Sequence, residues 1–175
     1  MRSRPRRRTV DSTTRKGGTM FRTIVWATDG SEAADEALPY AKGLATGEGR
    51  KLVVVHSKEI YVGRGGAFPV LADEQDLEQK IRGQVHELAD ERVDARFRLV
   101  SGLASGAAHM IADVAREAGA DVIVVGTRGH GPVAGLLLGS VTQRLLHIAP
   151  CPVLAVPTGK HAEARAAERE TVAVS

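Results

Sequence analysis

The 175-residue sequence contains a single cysteine, Cys151. An internal disulfide is therefore excluded, one thiolate cannot by itself build a metal site, and a reducing, cytoplasmic setting is the expectation. Aromatic residues are scarce, at 3% of the chain, which argues against a single-strand nucleic-acid surface because such surfaces stack bases on exposed rings. No apolar run approaches the roughly 18 residues that a bilayer span needs, so no membrane span is expected. No G-x-x-x-x-G-K-[ST] occurs, which removes the Walker-type nucleoside triphosphatases, and no G-x-S-x-G elbow is present. His56, His109 and His147 lack ligand spacing and read as structural. What remains is 43% hydrophobic and 26% charged with 19 glycines, a globular composition at a length that suits one domain burying roughly two-thirds of its unfolded surface.

The sequence pI near 9.3 invites a nucleic-acid reading, but the charge is concentrated at one end. Residues 1–19 hold seven basic side chains, among them Arg6, Arg7 and Arg8, against Asp11 alone, a net +6; from a total of +3 the rest of the chain carries −3. This segment has almost nothing apolar to bury and is expected to be a disordered basic tail. It is not a twin-arginine signal, because Val10 is followed by Asp-Ser-Thr-Thr-Arg-Lys rather than an apolar stretch. Either it is an appendage ahead of a start at Met20, or it is a basic arm that weakly holds nucleic acid or anionic lipid through phosphate contacts. The polar stretch 158–175 is expected to fray as a second tail or to form one exposed helix.

Between the tails, apolar strand-like runs alternate with segments of helical spacing, an α/β pattern. Residues 22–28 read as a first buried strand and 32–46 as a helix that Pro39 should kink. Residues 51–57 form a second strand whose unbroken β-branched run implies cover on both faces. A Gly-rich loop with Gly63, Gly65 and Gly66 follows. Asp73 is expected to cap a helix to about Arg92, with Leu77, Ile81, Val85 and Leu88 on one face. Strands at 95–100, 121–126 and 152–156 and helices at 105–118 and 140–148 complete the pattern. Five strands with right-handed crossovers predict an open, doubly wound parallel sheet with helices on both faces. Ligands of such sheets bind beyond the carboxyl ends of the strands, where the strand order reverses.

Two strand ends carry residues suited to a polar ligand: Asp29-Gly30-Ser31 after the first and Gly126-Thr-Arg-Gly129 after the fourth. Gly126 and Gly129 remove side chains where a backbone approaches a ligand or takes a positive φ. Gly139-Ser140, opening a helix, brings free amides, a hydroxyl and the positive end of a helix dipole together, which suits a phosphate. On these residues alone the glycines serve turns and Ser140 caps its helix equally well. Asp29 likewise reads as a helix cap or as a carboxylate facing a phosphate-bound Mg²⁺. Arg128 and His130 either neutralise phosphate charge or are solvated. Cys151, beside an apolar strand, reads as a packed thiol.

The spacing Gly126-x2-Gly129-x9-Gly139-Ser140 resembles the nucleotide-binding signature of the universal stress protein family. The likeness extends through Asp29-Gly30-Ser31, Leu52-Val-Val-Val-His56, Ala120 to Gly126 and Ala149 to Val156, covering about residues 20–157. The resemblance implies a parallel sheet of order 3-2-1-4-5, a homodimer through the last strand and, in one branch, bound ATP with a divalent cation. It implies that Asp29 faces the ribose and the cation, with Ala27 and Val125 beside the nucleotide and the backbone at Ser57 on the adenine edge. Gly126, Arg128 and Gly129 would line the ribose and phosphates, and Gly139, Ser140, Val141 and Thr142 would hold the β- and γ-phosphates. Ser57 stands where an apolar residue is common, and Ser105-Gly106-Ala107 replaces the usual Gly-x-Pro. No catalytic residue is assigned, because phosphoryl transfer also needs a group that positions the nucleophile. The expected function is ATP-dependent regulation in a stress response. The alternatives are a slow ATP hydrolase or phosphotransferase, and a nucleotide-free dimeric scaffold.

Overall fold

The computed structural model describes residues 20–63, 66–69, 73–103, 106–128 and 138–157. Strand β1 (Thr23–Ala27) is followed by helices α1 (Glu32–Asp35) and α2 (Leu38–Ala45), then by β2 (Lys51–Gly63) and β3 (Gly66–Pro69). Helix α3 (Glu74–Asp90), β4 (Ala95–Leu103), α4 (Ala107–Ala118), β5 (Val122–Gly126), α5 (Ser140–Ile148) and β6 (Val153–Val156) complete the described chain.

Five strands pair in parallel in the spatial order β4-β2-β1-β5-β6. Counted without the short β3, this is the expected order 3-2-1-4-5. β1 lies at the centre, with Ala27 opposite Val55 on one side and Val125 on the other. Alternation along the central strands divides the core in two, as the period-2 geometry of a strand requires. Ile24, Trp26, Leu52 and Val54 pack under α2 and α3 with Ala41, Ile81 and Leu88. Val25, Val53, Val55 and Ile123 pack under α4 and α5 with Ile111 and Leu145. Helices thus cover both faces.

Three boundaries differ from the sequence reading. The helix expected over 32–46 is two helices, because Pro39 has no N–H to continue the ladder of α1 and instead sits in the first turn of α2. The second strand does not stop at Ser57 in a Gly-rich loop. Ile60, Tyr61 and Val62 are strong strand formers, and β2 runs to Gly63 and pairs antiparallel with β3, from Ile60↔Pro69 to Gly63↔Gly66. β4 likewise extends past Val100, keeping parallel register with β2 as far as Ile60↔Leu103. Asp73 occupies the cap position of α3, but its side chain makes no capping bond. Gly65, Ser105, Gly129 and His130, and the tails 1–19 and 158–175, lie outside the described residues.

At the end of the sheet opposite the strand carboxyl ends, Asp121 Oδ2 accepts from the Arg22 N–H at 2.8 Å and the Thr23 N–H at 2.9 Å. Its own N–H donates to Thr23 O at 2.8 Å. This fixes the register of β1 against β5. Among the described residues no helix is long and apolar enough to cross a membrane. Replacing Asp121 with Ala leaves the part-buried Thr23 N–H without its acceptor and is expected to lower unfolding stability by about 1–3 kcal/mol, measured by urea denaturation.

Candidate functional site

Beyond Ala27, β1 gives way to a turn braced by its own side chains. Thr28 Oγ1 accepts from the Gly30 N–H at 3.1 Å. Asp29 Oδ1 accepts from the Ser31 N–H at 3.1 Å and from the Ser31 hydroxyl at 2.6 Å. Ser31 Oγ in turn accepts from the Ala34 N–H at 3.2 Å and is the cap of α1. Asp29 is therefore not the helix cap. It positions the residue that is, and stands half-buried at the mouth of the sheet. Gly30 takes φ +77°, a region that disfavours side chains, and a Cβ there would lie 2.7 Å from Leu77 Cδ2.

On the other side of the switch point, β5 ends at Gly126. A Cβ at Gly126 would approach Ala33 O to 2.7 Å. The requirement for glycine thus comes first from α1, whose backbone packs against this strand end. Gly126 O accepts from the buried Thr142 hydroxyl at 2.8 Å, and the Gly139 N–H donates to Thr127 O at 2.7 Å. These two bonds hold the first turn of α5 beside the end of β5. Gly139 is the cap residue, with φ −69° and ψ 160°, and supplies no side-chain acceptor to the amides behind it. Ser140 is exposed, Val141 is partly buried and Arg128 is exposed.

The pairing of β1 with β5 brings the two sequence motifs together. Asp29 emerges two residues beyond Ala27, and Arg128 three residues beyond its partner Val125. The side chains of Ala27 and Val125 are themselves buried, in the core under α4 and α5. The Thr142 side chain is turned inward, leaving its backbone amide in the first turn of α5. Ser57 lies where β2 loses β1 as a neighbour: the β1–β2 ladder closes with the Thr28 N–H on Val55 O at 2.9 Å. From Ile60 onward that edge is taken by β3, because Leu103 occupies the other side of Ile60. Among the described residues, Ser57 to Glu59 therefore present an edge between β1 and β3 with no strand paired to it.

Residues that sequence reading left out of the site are also present. His56 and Glu74 are both almost wholly buried, with His56 Nε2 2.8 Å from Glu74 Oε1 and Nδ1 3.0 Å from Thr28 O. The Lys80 ammonium donates to Gly30 O at 2.7 Å and to Asp35 Oδ2 at 2.6 Å. A histidine closing an apolar strand and a lysine on a charged helix carry no spacing that would have singled them out. Cys151, half-buried, has its thiol pKa raised first by burial and then by the Asp121 carboxylate, which fits a packed thiol rather than a nucleophile. Among the described residues no three His, Cys, Asp or Glu side chains gather as a metal site.

The sequence model of the universal stress protein family matches residues 20–157. A Thermus aquaticus protein, the universal stress protein in the QAH/OAS sulfhydrylase 3'region, is 38% identical over 141 residues, which cover 78% of this chain and 99% of that one. The Coxiella burnetii universal stress protein A homolog 1 is 34% identical over 142 residues, covering 78% and 96%. A universal stress protein solved in complex with cAMP superposes with a TM-score of 0.54 at 26% identity, covering 78% of this chain and 96% of that chain.

The two described glycines of the signature should separate by experiment. Gly126→Ala forces a methyl against Ala33 O and is expected to cost about 1–3 kcal/mol, as overpacking does. At Gly139 a Cβ would meet Thr127 O at an ordinary 3.5 Å, so Gly139→Ala should cost under about 1 kcal/mol. Paired thermal melts of the two variants check this.

Proposed function

The chain belongs to the universal stress protein family, and from that premise we propose that it binds ATP with Mg²⁺ in the crevice where β1 and β5 part, as a regulatory nucleotide-binding protein. The observation that carries the reading is the placement of the first turn of α5. Its leading amides have no side-chain cap from Gly139, and they are tied by Thr142 and Gly139 to the strand end beside the Asp29 turn. Amides at a helix N-terminus with a positive dipole end favour an anion. Phosphate oxygens bound there would face the Asp29 carboxylate across the crevice.

The residues fit the cation as well as the phosphates. Mg²⁺ is commonly held by one or two carboxylates, phosphate oxygens and waters rather than by an all-protein cage. Asp29, braced by Ser31, supplies one carboxylate at a fixed position. The unpaired edge of β2 at Ser57 offers backbone groups to the base, and Arg128, Ser140 and Val141 would flank the phosphate path. The relative solved with cAMP supports an adenine nucleotide in this class of protein. Gly126 keeps its place in the site through the packing of α1 rather than by direct contact alone.

A homodimer through β6 accompanies this reading. β6 pairs with β5 on one side only among the described residues, and Leu154 is 38% exposed on it. A free strand edge bearing an apolar side chain gains hydrogen bonds and burial when covered. ATP occupancy would then bias the loops around the crevice and, through them, the choice of partner.

Mass spectrometry of the small molecules released on denaturation tests the reading, with calorimetric titration of ATP and Mg²⁺ into the emptied protein. ATP or ADP should be released from the wild type. Gly139→Val, which adds methyls beside the α5 amides, should abolish binding. Asp29→Ala should weaken ATP by about tenfold, equivalent to about 1.4 kcal/mol, with Mg²⁺ present and by less without it. An ADP excess that grows on incubation with ATP would favour slow hydrolysis. An empty wild type that takes up no ATP would overturn the reading in favour of a partner-binding scaffold.

A further inference from the structure

Helix α3 grips the Asp29 turn at several points, and two of these grips are polar and exact in their chemistry. A parallel ladder that gives the Thr28 N–H to Val55 O would next give the Ser57 N–H to Thr28 O. That carbonyl instead meets His56 Nδ1 at 3.0 Å, and the ladder stops. A carbonyl only accepts, so Nδ1 carries a hydrogen. Glu74 Oε1 lies 2.8 Å from Nε2, at hydrogen-bond distance. His56 thus bridges Thr28 O to the first turn of α3 inside the protein.

One turn further along α3, Leu77 fills the space left by the missing Cβ of Gly30. Lys80 then holds Gly30 O and Asp35 Oδ2, while Gln84 Nε2 donates to Asp35 Oδ1 at 2.8 Å. Glu74, Leu77, Lys80 and Gln84 follow helical spacing, so one face of α3 spans from the middle of β2 to α1. The stretch it holds, Thr28 to Asp35, carries Asp29. The same contacts end the β1–β2 ladder just where Ser57 begins the unpaired edge. A core could be filled at this place by apolar side chains at no loss of stability. A hydrogen-bonded bridge adds a fixed direction, which apolar packing does not.

We propose that α3 is the positioning element of the nucleotide site, acting through Glu74 and His56 on Thr28 and through Lys80 on Gly30. Glu74, His56 and Lys80 are positioning residues: they fix the turn that presents Asp29 and hold open the β2 edge. The inference rests on the nucleotide reading above, and it extends that reading by giving the site a route to the outside of the molecule along α3.

The test compares the full-length wild type with Glu74→Ala, Glu74→Gln and Lys80→Met. Two readouts are taken: calorimetric affinity for ATP with Mg²⁺, and hydrogen exchange at the Gly30 and Ser31 amides. A glutamine amide can donate to Nε2 and preserve the bridge without charge. Glu74→Gln is therefore expected to stay within about threefold of wild-type affinity, whereas Glu74→Ala and Lys80→Met lose tenfold or more and exchange faster at Gly30 and Ser31. Should Glu74→Ala fail to fold, Lys80→Met, altering a part-exposed side chain, carries the comparison. Folded Glu74→Ala or Lys80→Met protein with wild-type affinity and exchange would overturn the proposal. So would Glu74→Gln as weak as Glu74→Ala with unchanged exchange. If the wild type itself binds no nucleotide, the functional reading fails separately, and the exchange rates alone decide whether α3 holds the turn.

Discussion

β1 is hydrogen-bonded on both sides, to β2 and to β5, and the elements around the site follow from that position. A central parallel strand is buried on both faces, which is why Ile24 to Ala27 are all apolar and wholly or almost wholly buried. Helix α2, which follows β1, packs on one face of the sheet and α5, which follows β5, packs on the other. In doubly wound sheets this arrangement opens a crevice at the carboxyl ends of the strands, and it is there that we propose the nucleotide binds. Neither wall of it is a single element: one is a turn held by α3, the other a helix start held by β5.

The glycines show how fold and site share residues. Gly30 is needed twice, for a positive φ and for the seat of Leu77, and both needs concern the shape of the turn. Gly126 admits the backbone of α1, so its absence of side chain is first a packing condition. Gly139 has ordinary backbone angles and ordinary room around it. Its lack of a side chain is not demanded by the fold, and in the proposed site it keeps the leading amides of α5 open to an anion. One short signature thus contains positions under different physical constraints, and substitution effects there need separate accounting for stability and for ligand.

Much of this was legible in the sequence because it depends on local patterning. The apolar runs gave the central strands, the Leu77-Ile81-Val85-Leu88 spacing gave the buried face of α3, and Ser140–Ile148 was bounded correctly by Gly139 and Ala149-Pro150. Placement of Asp29 near Gly126 followed from the topology rule for doubly wound sheets. What was not legible depends on partners distant in the chain. The continuation of β2 to Gly63 is decided by pairing with β3, and Gly63, Gly65 and Gly66 read in the sequence as loop composition. The bridge from Thr28 through His56 to Glu74 joins residues 28, 56 and 74, whose spacing follows no local period. Ser31, rather than Asp29, as the cap of α1 was hidden because either residue type fills that role in an Asp-Gly-Ser sequence.

The central claim is that the end of β1, the open edge of β2 and the first turn of α5 form one nucleotide site. Amide chemical shifts followed by NMR during titration with ATP and Mg²⁺ test it most directly, since each wall reports independently. The account predicts saturable shifts at Asp29 to Ser31, at Ser57 and at Ser140 to Thr142 with one common affinity, while Arg22, Thr23 and Asp121 at the far end of the sheet stay still. Shifts confined to another surface, or none at saturating ATP, would contradict it.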